Sequence, residues 1–236
     1  MILQEVNDGD GLFRGIKMVV FDLCGTTVDE GDLVYKALKN TLIMYEIEFE
    51  NKEFDEVYYS ESTNIKILRY FLNKNRKNVV IEDFVNKLHQ NIKELYMDIE
   101  SNVKAMEGSK DLFVKLRDNG VKVCLNSGYS VDIVETIIKK VGFEGIIDGY
   151  ISGDKVKVGR PFPFMIYRLM EEFDVDSGEY VVKVGDTVGD ILEGRNAGVR
   201  LNVGVLSGMD SREKLERLGN CIIVDSVKDL LDNYYF

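Results

Sequence analysis

The sequence predicts an α/β protein, with a Rossmann-like, doubly wound parallel sheet as its core and an inserted α-helical cap domain. From residue 109 onward, short apolar runs alternate with amphipathic segments, as strands alternate with helices in a parallel sheet covered on both faces. Between the first apolar run and that region, residues 33–103 show only helical periodicity. This interruption indicates a helical domain inserted after the first strand.

The first strand and the insert are read from their apolar spacing. The run Ile16 to Phe21 predicts a buried strand that ends at Asp22 and a Gly-Thr turn. Helices are expected at 33–42, 54–58 and 65–72, and a fourth helix carries an apolar stripe at three- and four-residue spacing, formed by Phe84, Leu88, Ile92, Leu95 and Ile99. The predicted cap therefore spans 32–105, and the core comprises 1–31 and 106–236.

The second part of the core follows the alternating pattern. Helices are expected at 109–118, 131–141, 163–173, 188–197 and 227–231. Strands are expected at 121–125, 146–151, 180–184, 201–205 and 221–224. Such alternation implies a parallel sheet with helices on both faces.

Composition narrows the class of protein. The 236 residues include 41 acidic and 30 basic side chains, a net charge of −11, which argues against nucleic acid as a partner. No apolar run approaches the ~20 residues of a membrane span, so no membrane association is expected. Cys24, Cys124 and Cys221 show no metal-binding spacing, which favours reduced thiols and a cytoplasmic protein. A homodimer is left open.

Polar side chains follow several predicted strands. Because ligands bind beyond the carboxyl ends of the strands in open parallel sheets, these side chains should form one site. The candidates are Asp22, Thr26, Ser127, Arg160, Asp186 and Asp190.

Three acids, a hydroxyl and a cation together fit a phosphate held by Mg2+. Asp22, Asp186 and Asp190 offer the hard oxygen ligands that Mg2+ prefers, and a nucleophilic carboxylate needs a cation to approach an anionic phosphorus. Ser127 and the main-chain N–H groups near Gly128 can donate to phosphate oxygens. Arg160 adds a fixed charge with a fork of donors. Thr26 and Gly128 are candidates for substrate binding.

The motifs FDLCGTTVDEG, LNSGYS, VGRPFPFMI and KVGDTVGDILEGRNAG, in this order, resemble the haloacid dehalogenase superfamily. Within it, they are most similar to the phosphonoacetaldehyde hydrolase (phosphonatase) branch, over residues 19–204. The resemblance implies a hydrolase that acts on a small phosphorylated or phosphonate metabolite through an aspartyl-phosphate. The implied roles are nucleophile for Asp22, phosphate binding for Ser127 and Arg160, and Mg2+ binding for Asp186, Asp190 and the main-chain carbonyl of Cys24.

Two positions depart from the wider family pattern. Most phosphatases of the superfamily carry a second Asp two residues after the nucleophile, where this chain has Cys24; the phosphonatase branch also lacks that Asp. The branch uses a cap lysine that forms a Schiff base with its aldehyde substrate. Alignment of the insert places Asn64 at that position and Lys66 two residues later, so Lys66 is either a substrate-binding residue or a surface lysine.

Two alternatives to an enzyme remain. A catalytically impaired binding protein on the same fold would bind ligand or Mg2+ without turnover, as Cys24 and the displaced lysine would allow. A signalling receiver domain would be phosphorylated on an Asp, but the long helical insert counts against it.

Overall fold

A computed structural model describes residues 13–60, 64–98 and 102–233. The chain divides into two compact units, Met1–Asp29 with Lys104–Phe236, and Glu30–Val103. The domain boundaries expected from the sequence lie two residues further along the chain at each junction. That the smaller unit acts as a cap remains a prediction.

The larger unit is built on a parallel sheet of six described strands. Their order across the sheet is β5-β4-β1-β6-β7-β8. The strands are β1 (Met18–Asp22), β4 (Lys122–Ser127), β5 (Gly149–Ser152), β6 (Val181–Gly185), β7 (Leu201–Val205) and β8 (Ile222–Val224). Two further short strands, β2 (Val28–Asp29) and β3 (Lys104–Ala105), pair antiparallel. The predicted doubly wound α/β class is confirmed.

Strand β1 lies where the winding of the sheet reverses. It pairs with β4 on one side, with Asp22 opposite Asn126, and with β6 on the other, with Phe21 opposite Val184. At such a switch point the loops after neighbouring strands diverge and leave a crevice. The carboxyl ends of β1, β4 and β6 therefore border one crevice.

The smaller unit consists of helices in the part that the structure describes. They are α1 (Leu33–Met44), α2 (Asn51–Ser60), α3 (Asn64–Lys74) and α4 (Ile81–Met97). The predicted stripe of α4 is buried at Phe84, Leu88 and Ile92, but Tyr96 replaces the half-buried Leu95 as its next buried residue. Ile99 lies outside the described residues.

Helices of the larger unit flank the sheet. They are α5 (Ser109–Asp118), α6 (Val131–Val141), α7 (Phe164–Glu172), α8 (Val188–Ala197), α9 (Arg212–Glu216) and α10 (Val227–Asn233). Alternate residues of β1 face opposite sides of the sheet. Val20 belongs to a buried cluster with Ile166 of α7, whereas Phe21 packs on Phe113 of α5 at 5.1 Å between ring centres.

The structure corrects several predicted boundaries. The strand expected at 146–151 begins only at Gly149, because Asp148 accepts a hydrogen bond from the Val123 N–H at 2.9 Å and pairs with Lys122. The strand expected from Tyr180 begins at Val181, after a 3-10 turn. Helix α9 and the two-stranded ribbon carry no clear sequence periodicity and were not predicted. None of the described helices has the length and apolar character that a membrane span requires.

Candidate active site

Three buried carboxylates meet at the crevice beyond β1 and β6. Asp22 is the last residue of β1, Asp186 follows β6, and Asp190 lies in the first turn of α8. One oxygen from each carboxylate lies within 4.8 Å of the others. Oxygen atoms at this spacing can ligate a single cation, and carboxylates are ligands that Mg2+ prefers. The structure thus brings together the three acids expected to bind metal.

Asp186 is held by loops from two other strands. Its Oδ1 accepts a hydrogen bond from the Thr26 hydroxyl, and its Oδ2 accepts one from the Met209 N–H, each at 2.8 Å. Gly25 has a φ of +84°, and a Cβ there would lie 2.6 Å from Asp186 Oδ2. A Cβ on Gly208 would overlap the same carboxylate. Only glycine permits this close approach of the two loops.

Asp190 is fixed at the start of α8 by a capping box. The Asp190 N–H donates to Thr187 Oγ1, and the Thr187 N–H donates to Asp190 Oδ2, each at 3.2 Å. The other oxygen, Oδ1, lies 2.8 Å from Lys183 Nζ and 3.2 Å from Arg160 Nε. Asp190 is therefore both a helix cap and an ion-pair partner, so its orientation is set before any ligand binds.

Arg160 lies beside the expected nucleophile. Its Nη2 is 2.6 Å from Asp22 Oδ1 and also donates to the main-chain oxygen of Asn126 at 3.0 Å and to Asn126 Oδ1 at 2.7 Å. Its Nε lies 3.1 Å from Glu193 Oε2. Among the described residues no hydrogen bond uses Nη1. The guanidinium is thus anchored on one side and keeps donors for an anion next to Asp22.

Burial and the neighbouring charges together set the pKa values of the three carboxyl groups. Burial raises the pKa of Asp22 to about 6, although the neighbouring Arg160 opposes the shift. Burial, with the charges of Asp22 and Asp190, raises the pKa of Asp186 well above its usual range. Burial alone would raise the pKa of Asp190, but Arg160 and Lys183 outweigh it and lower that pKa. Without a bound cation, burial therefore favours the protonated form of Asp186, and favours that of Asp22 only below its pKa of about 6.

The remaining core candidates border the same crevice. Ser127 ends β4 and is buried; its Oγ accepts a hydrogen bond from the Tyr129 N–H at 3.2 Å. The space around Gly128 is open, since a Cβ there would meet no atom within 4 Å. The Thr26 hydroxyl proton is directed at Asp186. Substrate binding by Thr26 and Gly128 stays a prediction.

Cys24 and Lys66 lie in different units. Cys24 is half-buried and forms an isolated bridge with Val28 in the loop after β1. Lys66 is exposed in the first turn of α3. No observation tests the metal-binding role of the Cys24 carbonyl or the substrate-binding role of Lys66, and both stay predictions.

The sequence analysis did not identify several buried polar side chains next to the site. Lys183 and Glu193 are fully buried, although one lies in an apolar strand and the other in a helix. Asn126 is also fully buried and contacts Arg160, Lys183 and Glu193. A lysine at the centre of the apolar strand VVKVG was the available signal, because a buried lysine requires an anionic partner.

This sheet and its acidic switch-point crevice define an α/β enzyme core with a candidate metal site. The family model of the haloacid dehalogenase-like hydrolases matches residues 19–203. The chain belongs to that family, as its four motifs indicated, and the expectation of an enzyme of this superfamily is confirmed.

Particular relatives agree with this assignment. Phosphonoacetaldehyde hydrolase of Bacillus cereus (strain G9842) is 28% identical over 231 residues, which cover 87% of each chain. A phosphonoacetaldehyde hydrolase like protein from Oleispira antarctica has a crystal structure with a TM-score of 0.74 and 23% identity, covering 92% of this chain and 90% of the other. CbbY from Rhodobacter sphaeroides, solved in complex with phosphate, has a TM-score of 0.74 and 19% identity, with 91% and 96% covered. The two structures show a shared fold.

Proposed function

We propose that the chain is a Mg2+-dependent phosphohydrolase in which the Asp22 carboxylate attacks phosphorus and forms an aspartyl-phosphate. The observation that carries this proposal is the arrangement at the crevice: three buried carboxylates within 4.8 Å of one another, and Arg160 Nη2 2.6 Å from Asp22 Oδ1. An anion bound next to Asp22 would therefore contact the guanidinium of Arg160.

The charges of the site fit a divalent cation. Four buried carboxylates lie together here, those of Asp22, Asp186, Asp190 and Glu193. Two cations accompany them, the fully buried Lys183 and the half-buried Arg160. When all four carboxylates are ionised, two negative charges are left over. Burial makes that state unfavourable without a counter-ion, which is why the pKa of Asp186 is raised. Asp22, Asp186 and Asp190 would hold Mg2+. When bound, Mg2+ supplies a positive charge that lowers the repulsion between the nucleophile and the phosphoryl oxygens.

The side chains of the chain have separate tasks in the reaction. The Asp22 oxygen forms a bond to phosphorus while the bond to the leaving group breaks, and the electron pair departs with that group, which takes up a proton. Arg160 and Ser127 stabilise the charge spread over the phosphoryl oxygens. Attack by water on the aspartyl-phosphate then releases inorganic phosphate and restores Asp22.

The proposed substrate is a small phosphate ester or a phosphonate. The Bacillus cereus relative named above is a phosphonoacetaldehyde hydrolase at 28% identity, which supports a compact phosphorylated or phosphonate metabolite. A phosphonate carrying an aldehyde would need an amine to form a Schiff base, and Lys66 at the start of α3 is the candidate. An ester would need none, so the two classes differ in their dependence on Lys66.

Release of inorganic phosphate from a panel of phosphate esters and phosphonoacetaldehyde, with and without Mg2+, tests the proposal. Asp22→Asn should abolish turnover, whereas Asp176→Asn, which changes an exposed acid of the same unit, should leave it unchanged. Lys66→Met should abolish turnover of phosphonoacetaldehyde alone.

The competing function is a binding protein without turnover, which Cys24 in place of the second Asp favours. It predicts that the wild type binds phosphate and Mg2+ but releases no phosphate from any compound of the panel. Equal release by wild type and Asp22→Asn would contradict the nucleophile assignment directly.

A further inference from the structure

A buried glutamate lies directly behind the arginine of the site. Glu193, on α8, is fully buried. Its Oε2 accepts hydrogen bonds from Arg160 Nε at 3.1 Å and from Asn126 Nδ2 at 2.8 Å. The other oxygen, Oε1, has no hydrogen-bond partner among the described residues. Glu193 therefore uses one oxygen, Oε2, to bind both the guanidinium of Arg160 and the side-chain amide of Asn126. That amide also contacts the guanidinium.

Asn126 joins this glutamate to a buried lysine. Its Oδ1 accepts from Arg160 Nη2 at 2.7 Å and from Lys183 Nζ at 3.0 Å, while its amide nitrogen donates to Glu193. Lys183 also donates to the Val184 main-chain oxygen at 3.1 Å. Each polar atom of the Asn126 side chain is thus satisfied by a charged group. This arrangement fixes which way the amide faces.

Helix packing gives no reason for a carboxylate at residue 193. Burying a charge is unfavourable unless partners compensate for it, and a leucine of similar size would pack in the same space without that penalty. Glu193 Oε2 accepts hydrogen bonds from Arg160 and Asn126, and Lys183 Nζ lies farther away, at 4.0 Å. Arg160, the nearer cation, in turn contacts Asp22. The charge of Glu193 is therefore directed at the residue expected to bind the phosphoryl group.

We propose that Glu193 is a positioning residue: it fixes the guanidinium of Arg160 through Nε, so that the Nη atoms face a phosphoryl group beside Asp22. The inference rests on the proposed function, because it concerns how Arg160 meets that group. The guanidinium is planar, so one fixed bond at Nε together with the Nη2 contacts to Asn126 determines the plane of the whole fork. Glu193 itself does not touch the substrate.

Binding of inorganic phosphate in the presence of Mg2+, measured by calorimetry, tests this inference without turnover. Glu193→Gln keeps the size of the side chain and removes its charge. It should weaken phosphate binding about tenfold, as expected when a charge-assisted hydrogen bond to the binding group is lost. In an Arg160→Ala background the same substitution should change the affinity less than about twofold, because the group it positions is gone. Glu179→Gln, at an exposed glutamate of the same unit, is the matched control.

Comparing Glu193→Gln in the wild-type and Arg160→Ala backgrounds separates a positioning role of Glu193 from a purely structural one. Equal weakening by Glu193→Gln in both backgrounds would overturn the inference while leaving the proposed function intact. A wild-type chain that binds no phosphate would overturn both. Steady-state kinetics on an accepted substrate should show a higher KM for Glu193→Gln with a smaller change in kcat.

A second measurement needs no substitution at residue 193. The Arg160 Nε–H should give an NMR signal in the wild type that exchanges slowly with solvent, since Glu193 accepts its hydrogen bond in a buried place. Arg160→Lys identifies the signal by its loss. A rapidly exchanging Arg160 Nε–H would overturn the inference even if Glu193→Gln does not fold.

Discussion

The titration of Asp22 should make the metal-free protein less stable as the pH rises. Burial raises the pKa of this carboxyl from 3.8 to about 6 in the folded chain, so the folded state binds a proton more tightly than the unfolded state. The stabilisation is fully present below the unfolded pKa and is lost as the pH rises through about 6. Between pH 5 and pH 8 the loss amounts to about 1 kcal/mol of unfolding free energy.

Comparison with Asp22→Asn isolates this effect from the other titrating groups. Asparagine carries no titrating proton in either state, so between pH 5 and pH 8 the wild type should lose at least about 1 kcal/mol of unfolding free energy relative to the variant. The charge of Asp22 also raises the pKa of Asp186, which adds to the difference in the same direction. Urea unfolding in the presence of a chelator, at several pH values, measures the quantity.

The control is Asp176→Asn on the surface. The pKa of Asp176 is lowered by its hydrogen bond from Lys17, so its contribution to stability is lost as the pH falls, opposite in sign to that of Asp22. Saturating Mg2+ should abolish the loss at pH 8, because binding to the folded state alone stabilises it. If the unfolding free energy of the wild type, taken relative to that of Asp22→Asn, stays constant or rises with pH, the assigned burial and charge of Asp22 are refuted.

Three substitutions test the support of the acidic cluster. Gly208→Ala places a Cβ on the Asp186 carboxylate and should weaken Mg2+ binding at least about tenfold by calorimetry, whereas Gly159→Ala, with no atom within 4 Å of the added Cβ, should not. Asp186→Ala removes an anionic ligand and should weaken Mg2+ binding more severely; unchanged affinity would rule out that ligand. Lys183→Met leaves Asp190 without its closest cation and should lower the unfolding free energy by about 3 kcal/mol; a loss below about 1 kcal/mol in urea unfolding would contradict the buried pair.

The fold could be predicted where hydrophobic periodicity was strong. Helices α5, α6 and α8 begin and end at the predicted residues, since polar or glycine residues mark their ends. Strand β5 begins later than predicted, because Asp148 is recruited by a neighbouring strand, a contact with no local signal. Tertiary contacts of this kind override local pattern at the ends of elements.

The sequence predicted those site residues that lie at the carboxyl ends of strands. Asp22 and Ser127 are the last residues of their strands and Asp186 directly follows one, so the topology of a parallel sheet brings them together. Glu193 and Lys183 lie inside a helix and a strand, so the strand-end rule did not select them. The loop at Met209 contributes a main-chain N–H to Asp186, and main-chain donors leave no trace in residue type.

The buried cations explain how such an acidic cluster can fold at all. Ionised carboxylates with oxygens within 4.8 Å of one another repel by at least about 3 kcal/mol for each pair at an effective dielectric constant of about 20. Arg160 lies 2.6 Å from Asp22 and Lys183 lies 2.8 Å from Asp190, and each such pair attracts by about 6 kcal/mol on the same scale. Asp186 is the acid without a cationic partner among these contacts, since its oxygens accept from a hydroxyl and a main-chain N–H. We therefore expect a bound divalent cation to stabilise the charge of Asp186 more than that of the other two acids. Metal binding should accordingly depend most strongly on Asp186.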